Sequence, residues 1–175
     1  TSEIADTLNI DEKFLSVGNL PIEIVSTGLA DIIIPVVYGR LDNIRPDYDK
    51  ITQLTQKYHA IGYHLFELNQ QQNEFTASCR NFAPLVDIEE ESATGSASGA
   101  LACYLSKHYA QNGHLFTQSL QQHSNTEQFH FSFEQGRAML CRSTIHASVK
   151  IADSQFSEVK VGGFAKFIKA INLSS

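Results

Sequence analysis

The segment from Ala93 to Tyr109 constrains the fold more than any other part of this chain. Its large side chains recur at helical spacing among small Ala and Ser residues, and they are Leu101, Tyr104, Leu105, His108 and Tyr109. A helix that is apolar or small on every side is usually buried, because none of its faces suits water. We therefore expect the rest of the chain to pack around a central helix near residues 94–109.

Most of the other patterns are those of strands. Phe129, Phe131 and Phe133 alternate with polar residues, and residues 145–151 repeat this alternation. Further strand candidates lie at 21–25, 31–38, 61–68, 74–80 and 159–161, and the link Ser26–Gly28 joins the first two as a hairpin. Without a linker or an internal repeat, residues 1–175 predict one α+β domain, a mostly antiparallel sheet curled around the central helix.

Three local predictions accompany this fold. Phe75, Ala77 and Cys79 alternate with polar residues, which predicts a half-buried strand. Residues 87–92 predict an acidic loop. The tail at 164–171 leaves two alternatives open, a helix from its apolar spacing or a sheet edge from the preceding glycines.

Composition excludes several kinds of partner. The 175 residues carry a net charge of −6 without a Lys/Arg cluster, which argues against nucleic acid. No apolar run approaches the roughly 20 residues of a membrane helix. Three widely spaced cysteines and no signal peptide are typical of a cytoplasmic protein. The chain opens at Thr1 without an initiator Met, which a trimmed tag or a missing upstream region would explain.

One place along the chain suggests chemistry, where three glutamates precede the predicted central helix. The first turn of a helix has free N–H groups and a partial positive charge, so Thr94, Gly95 and Ser96 could hold a carboxylate or an enolate-like oxygen. Glu91 and its neighbours could donate or accept a proton if shielded from solvent. A helix capped by Thr94 or Ser96 behind solvated carboxylates is the structural alternative.

Other candidate residues favour no metal and no reactive thiol. No Cys/His spacing matches a zinc site, so we expect no metal. Cys79 and Cys103 are predicted to pack in the core. Arg80 could contact a substrate carboxylate or pair with the acidic segment, and the sequence favours neither.

The run Arg80–Pro84, followed after eight residues by Ala93–Ala97, closely resembles the signature of phenazine-biosynthesis PhzF-like isomerases. That signature is an Arg-x-Phe-Ala-Pro run leading to Glu-Asp-Pro-Ala-Thr-Gly-Ser-Ala. Glu91 stands where the family often has Asp, and Ser92 where it often has Pro. Three more segments resemble the family in the right order, namely Glu23–Leu29, Glu134–Gly136 with Met139, and Val161–Gly163.

This resemblance implies half of a larger enzyme. The family's fold is similar to that of diaminopimelate epimerase, in which the active site lies between two pseudo-symmetric halves. The chain resembles the C-terminal half and lacks the Gly-His-Ala-Thr motif and principal glutamate of the N-terminal half. The expected partners are that missing half, a small carboxylated substrate and, because the family tends to dimerise, a second copy.

The implied chemistry is a cofactor-independent proton shift in the substrate. Glu91 and Ser96 are its candidate catalytic residues, with Glu91 positioning substrate or relaying a proton. Thr94, Gly95, Ser96 and Arg80 are candidate substrate-binding residues. The alternative function is a non-catalytic binding or assembly domain of the same fold, since the main acid or base would lie in the other half.

Overall fold

The fold is seen in a computed structural model that describes residues 1–69, 74–112, 120–123 and 126–164. In that part of the chain three α-helices occur: α1 (Ser2–Thr7), α2 (Tyr48–Tyr58) and α3 (Gly95–Asn112). The strands are β1 (Glu23–Ser26), β2 (Ala30–Pro35), β3 (Gly62–Leu68), β4 (Ala77–Ala83), β5 (Ile88–Glu91), β6 (Leu120–His123), β7 (Thr126–Gln135), β8 (Ser143–Ala152) and β9 (Gln155–Gly162).

These strands form one sheet in the order β1-β2-β3-β4-β7-β8-β9, with β5 beside β4 and β6 beside β7. β2 pairs with β3 and β4 with β7 in parallel, and the other neighbours pair antiparallel. Parallel neighbours need a crossover connection. Helix α2 lies in the first crossover, whereas β5, α3 and β6 lie in the second. The second crossover brings the start of α3 to the region where β4, β5 and β7 meet.

The two faces of the sheet carry separate apolar clusters, because successive side chains of a strand point to opposite sides. Ile33, Phe66 and Phe131 belong to the cluster that contains α3. Ile32 and Leu65, each one residue away along its strand, belong to the cluster that contains α1 and α2. The α3 side of the sheet is called the helix face below.

The sheet is strongly curled. Val25 in β1 and Val159 in β9, near opposite ends of the strand order, both pack against the cluster that contains α3. At Gly99 of α3, an added Cβ would lie 3.2 Å from Val161 of β9 and 3.4 Å from Thr27 beside β1. One helix can touch both ends of the sheet only if the sheet bends around it. The prediction of an α+β fold with a curled sheet is therefore confirmed.

Several local predictions can be compared with the structure. The β1–β2 hairpin is present, and Phe129, Phe131 and Phe133 are buried on one face of β7. The prediction that the strand at 74–80 is half-buried is wrong, because every residue of β4 is buried and its polar side chains have partners. The prediction of an acidic loop at residues 87–92 is also wrong, since Ile88–Glu91 forms strand β5, which pairs with β4. The tail from 165 onwards lies outside the described residues.

Arg137 fixes the turn that follows β7. Its guanidinium contacts carboxylate oxygens of Asp42, Glu67 and Glu134 at 2.8–2.9 Å. Burial opposes the charge of Arg137, but hydrogen bonds with Asp42 and Glu67 and the charges of Asp42 and Glu134 raise its pKa overall. The side chains of Glu67 and Glu134 are only 2% and 5% exposed, so Arg137 supplies charge that both need. The end of β7 is thereby held against β3 and the 3₁₀ turn Leu41–Asn43.

Candidate functional site

Helix α3 begins close to the end of β5, and a side-chain hydrogen bond joins the two elements there. Glu91 ends β5 opposite Asn81 of β4. The Oγ1 of Thr94 donates a hydrogen bond of 2.6 Å to the Oε2 of Glu91. The carbonyl of Thr94 accepts hydrogen bonds from the backbone N and the Oγ of Ser98, which closes the first turn of α3. The carboxylate of Glu91 is therefore oriented beside the start of α3.

Gln135, at the end of β7, fastens this junction from the neighbouring strand. Its Nε2 donates to the carbonyl of Glu91 at 2.6 Å and to the Oγ1 of Thr94 at 2.9 Å. Its Oε1 accepts from the backbone N of Thr94 at 3.2 Å, and its side chain is fully buried. Gln135 thus positions both Glu91 and Thr94. No role is predicted for Gln135 from the sequence, where only its place in the Glu134–Gly136 motif marks it.

Replacing Gln135 by Met is expected to lower the free energy of unfolding by about 2–4 kcal/mol, measured by chemical denaturation. The apolar side chain has similar length but leaves the N–H of Thr94 and the carbonyl of Glu91 without their partner, at about 1–3 kcal/mol each. Gln128→Met, on the same strand at a half-buried position, is the matched control and should change stability far less. Equal losses in the two variants would contradict the positioning role.

Gly95 and Ser96 form an exposed part of the first turn of α3. The Oγ1 of Thr27, in the β1–β2 turn, donates to the carbonyl of Ser96 at 3.2 Å. The first N–H groups of a helix have no acceptor within that helix, and the macrodipole adds positive charge around them. Because Gly95 has no side chain and Ser96 a small polar one, these groups are accessible to an anion. The binding of an anion by Thr94, Gly95 and Ser96 stays a prediction.

Arg80 lies away from the start of α3. Its neighbours Cys79 and Asn81 point to the helix face, so Arg80 points to the opposite side of β4. Its guanidinium makes a bidentate pair with Glu90, with both contacts at 2.8 Å, and donates to two backbone carbonyls, those of Leu41 and Ile44. The pairing of Arg80 with the acidic segment, one of the two alternatives, is therefore present. Its binding of a substrate stays a prediction.

Two ionisable groups that the sequence did not indicate are buried on the helix face. Burial, and secondly the charge of Glu91, raises the pKa of Asp31 to about 7, and this residue is 2% exposed. Burial lowers the pKa of His64 to about 4, although its hydrogen bond with Asn81 acts in the opposite direction. The only sequence signal for Asp31 is a carboxylate directly before the apolar run Ile32–Ile34. Both groups are thus mainly neutral near pH 6.

Comparison with known proteins identifies the family. The model of the phenazine biosynthesis-like family, PhzC-PhzF, matches residues 1–170. The chain belongs to this family. Arg80–Ala97, the segment that resembles the PhzF-like signature, runs through β4 and β5 to the first turn of α3. The family motif therefore coincides with the junction that Thr94 and Gln135 hold together.

Relatives of this chain share its sequence over different parts of their own lengths. An uncharacterized isomerase of Clostridium acetobutylicum is 30% identical over 90% of this chain and 49% of its own length. One of Deinococcus radiodurans is 30% identical over 93% of this chain and 48% of its own. The chain thus spans about half the length of these relatives. An uncharacterized isomerase of Schizosaccharomyces pombe, 25% identical, is covered over 87% of its length.

Solved structures show the same fold. A PhzF-family phenazine biosynthesis protein of Bacillus anthracis superimposes with a TM-score of 0.63 at 21% identity, over 93% of this chain and 55% of that one. A predicted epimerase of Pseudomonas aeruginosa gives a TM-score of 0.58 at 22% identity, over 95% and 51%. At these identities the likeness concerns the fold alone. The curled sheet is therefore a PhzF-like fold.

Among the described residues, no group of three or more His, Cys, Asp or Glu side chains is arranged to hold a metal ion. Cys79 and Cys103 are buried, as predicted, and burial raises the pKa of both thiols. No helix among the described residues has the length and apolar character needed to cross a membrane.

Proposed function

We propose that this chain is one half of a cofactor-independent isomerase that shifts a proton in a small carboxylated substrate. Its fold would then be the C-terminal half of a diaminopimelate epimerase-like fold, with the sheet curled around α3. The observation that carries the proposal is the hydrogen bond between Thr94 and Glu91 at the start of α3. It places an oriented carboxylate beside N–H groups that suit an anion, and a proton shift next to a carboxylate needs both features.

In this proposal the residues at the start of α3 have different roles. Gly95 and Ser96 hold the substrate carboxylate, or the negative charge that develops when a proton leaves, through N–H groups and the Ser96 hydroxyl. Glu91 positions the substrate or relays a proton, because the hydroxyl of Thr94 occupies one carboxylate oxygen and orients the other. The main acid or base belongs to the N-terminal half, and the assembled enzyme works in the cytoplasm, where its three cysteines stay reduced.

In the assembled protein, Ser96→Ala and Glu91→Gln are expected to slow deuterium incorporation from solvent into substrate by at least about tenfold each. The measurement is mass spectrometry of candidate small carboxylic acids incubated in heavy water with the two halves combined. Glu89→Gln is the matched control, because Glu89 lies on the same strand but is exposed. Exchange that is unchanged in both variants would refute the site, provided circular dichroism shows that they fold.

A second function is favoured by the Schizosaccharomyces pombe relative, which is nearly as short as this chain. We propose as the alternative that the chain works without an N-terminal half, as a non-catalytic binding or assembly domain. Apolar side chains exposed on β9, Phe156 at 49% and Val161 at 39%, would then contact a second copy. The upstream sequence of the gene separates the two. A Gly-His-Ala-Thr motif there favours the enzyme, and a complete gene without it favours the binding domain.

A further inference from the structure

Three polar side chains lie in a row on the helix face of the sheet, and a fourth lies on the same face outside that row. His64 of β3 pairs with Ile33 of β2 on one side and with Asn81 of β4 on the other. Asn81 pairs in turn with Glu91 of β5. Residues paired across strands point to the same face, and so do residues two apart on one strand. Asp31, two residues before Ile33, therefore shares this face with His64, Asn81 and Glu91.

The curl of the sheet brings the β1–β2 turn and the end of β5 to the same end of α3. In a flat sheet, β2 and β5 would be about 14 Å apart, at 4.7–4.9 Å per strand spacing. Here the β1–β2 turn reaches the start of α3, where Thr27 donates to the carbonyl of Ser96. Glu91 is held at the same helix start through Thr94. The β1–β2 turn, which leads into Asp31, and Glu91 thus meet at the first turn of α3, and the charge of Glu91 acts on Asp31.

Asp31 is buried without compensation. It is 2% exposed, and its carboxyl makes no hydrogen bond or ion pair with any residue that the structure describes. Glu23, on the helix face of β1, contacts the side chains of Lys107 and His108. The ionisable side chains of β5 are all glutamates. Arg80, the nearby cation of β4, points to the other side and pairs with Glu90. A carboxyl in such surroundings keeps its proton more strongly than one in water.

His64 does not supply the missing charge. It is fully buried, and its Nδ1 lies 3.0 Å from the Oδ1 of Asn81, an acceptor, which assigns the ring proton to Nδ1. Its Nε2 has no hydrogen-bond partner among the described residues. A neutral imidazole with an unoccupied acceptor gives Asp31 no positive neighbour.

We propose that Asp31 and Glu91 form a carboxyl pair that holds one proton near pH 6, with the proton on Asp31 and the charge on Glu91. The surroundings separate the two groups: Glu91 accepts a hydrogen bond beside the positive end of α3, whereas Asp31 is buried. This deepens the proposed function and rests on it. Asp31 acts through Glu91 as a positioning residue, so that an anionic substrate at α3 meets one negative charge instead of two.

The pair is tested on this chain by NMR, following the carboxyl carbon of Asp31 through a pH titration. The expected midpoint is about 7 in the wild type. In Glu91→Gln it should fall by at least about half a unit, because the neighbouring charge is removed while the burial remains. Glu89→Gln, on the same strand, should leave it in place. A wild-type midpoint near 4, or one that does not respond to Glu91→Gln, overturns the proposal.

A second readout uses the assembled enzyme. The rate of deuterium exchange should decline above pH 7 as Asp31 ionises, and Asp31→Asn should abolish that decline; a variant that keeps it contradicts the role of Asp31. The two measurements distinguish failure of the isomerase proposal from failure of the carboxyl pair. If no substrate exchanges but Asp31 titrates near 7 and responds to Glu91→Gln, the isomerase proposal fails and the carboxyl pair stands. If substrate exchanges while Asp31 titrates near 4, only the pair fails.

Discussion

Replacing Arg80 by Met is expected to lower the free energy of unfolding by about 3–5 kcal/mol, measured by denaturant titration. The side chains of Arg80 and Glu90 are only 7% and 13% exposed, so the substitution leaves an uncompensated buried carboxylate. It also removes two hydrogen bonds to the backbone at Leu41 and Ile44. The loss arises because a charge is left alone, and it does not measure the net contribution of the pair.

Two variants separate these contributions. Lys57→Met breaks a pair with Glu3 whose side chains are 53% and 57% exposed, and it should have little effect. Arg80→Met combined with Glu90→Leu removes both charges and should be less damaging than Arg80→Met alone. If Arg80→Met is no more damaging than Lys57→Met, then Arg80 has no structural role, and the binding of a substrate carboxylate becomes its remaining explanation.

Gly136→Ala is expected to lower the free energy of unfolding by about 3 kcal/mol or more, from the sum of backbone strain and overpacking. Gly136 has φ +82°, which side chains other than glycine rarely adopt. An added Cβ would lie 2.9 Å from the Cβ of Ser92 and closer still to the carbonyl oxygen of Cys141. Ser92 follows Glu91 directly, so the clash would push the candidate site away from β7.

The matched control is Gly162→Ala on β9. No atom lies within 4 Å of a Cβ added there, and its φ is not positive. Its thermal midpoint should stay close to that of the wild type. In Gly136→Ala, the NMR signals of Thr94 and Ser96 should also shift, because the start of α3 must move. A Gly136→Ala protein with both wild-type stability and unshifted signals would show that this turn does not support the site.

Sequence patterns predicted the parts of this protein that depend on neighbouring residues. The alternation of Phe129, Phe131 and Phe133 places them on one face whatever strand lies beside them. Glu91 and Thr94 are three residues apart, so their proximity at the helix start follows from the chain itself. The half-burial predicted for the strand at 74–80 is wrong because a polar side chain can be buried when a distant strand supplies its partner. Ser78 is instead hydrogen-bonded to buried Glu134.

Other features of the site depend on which strands become neighbours. Gln135 lies 41–44 residues from Thr94 and Glu91 in sequence, and it reaches them only because β7 pairs with β4 in parallel. The charge of Glu91 acts on Asp31 only because the sheet curls, and no local sequence pattern predicts that curvature. The helical spacing of α3 predicts a buried helix but not which strands surround it. Long-range pairing therefore determines what the local patterns leave open.

Because Asp31 and His64 are both buried, acid changes the stability of the folded chain in opposite directions at these two residues. Asp31 favours folding most below pH 3.8, and this contribution is lost as the pH rises to about 7. For His64 the contribution is greatest above pH 6.5 and is lost as the pH falls to about 4. Across the shared range, the unfolded chain carries one proton on the imidazole, and the folded chain carries one on the carboxyl. Folding thus transfers a proton internally and, at these two residues, exchanges none with the solvent.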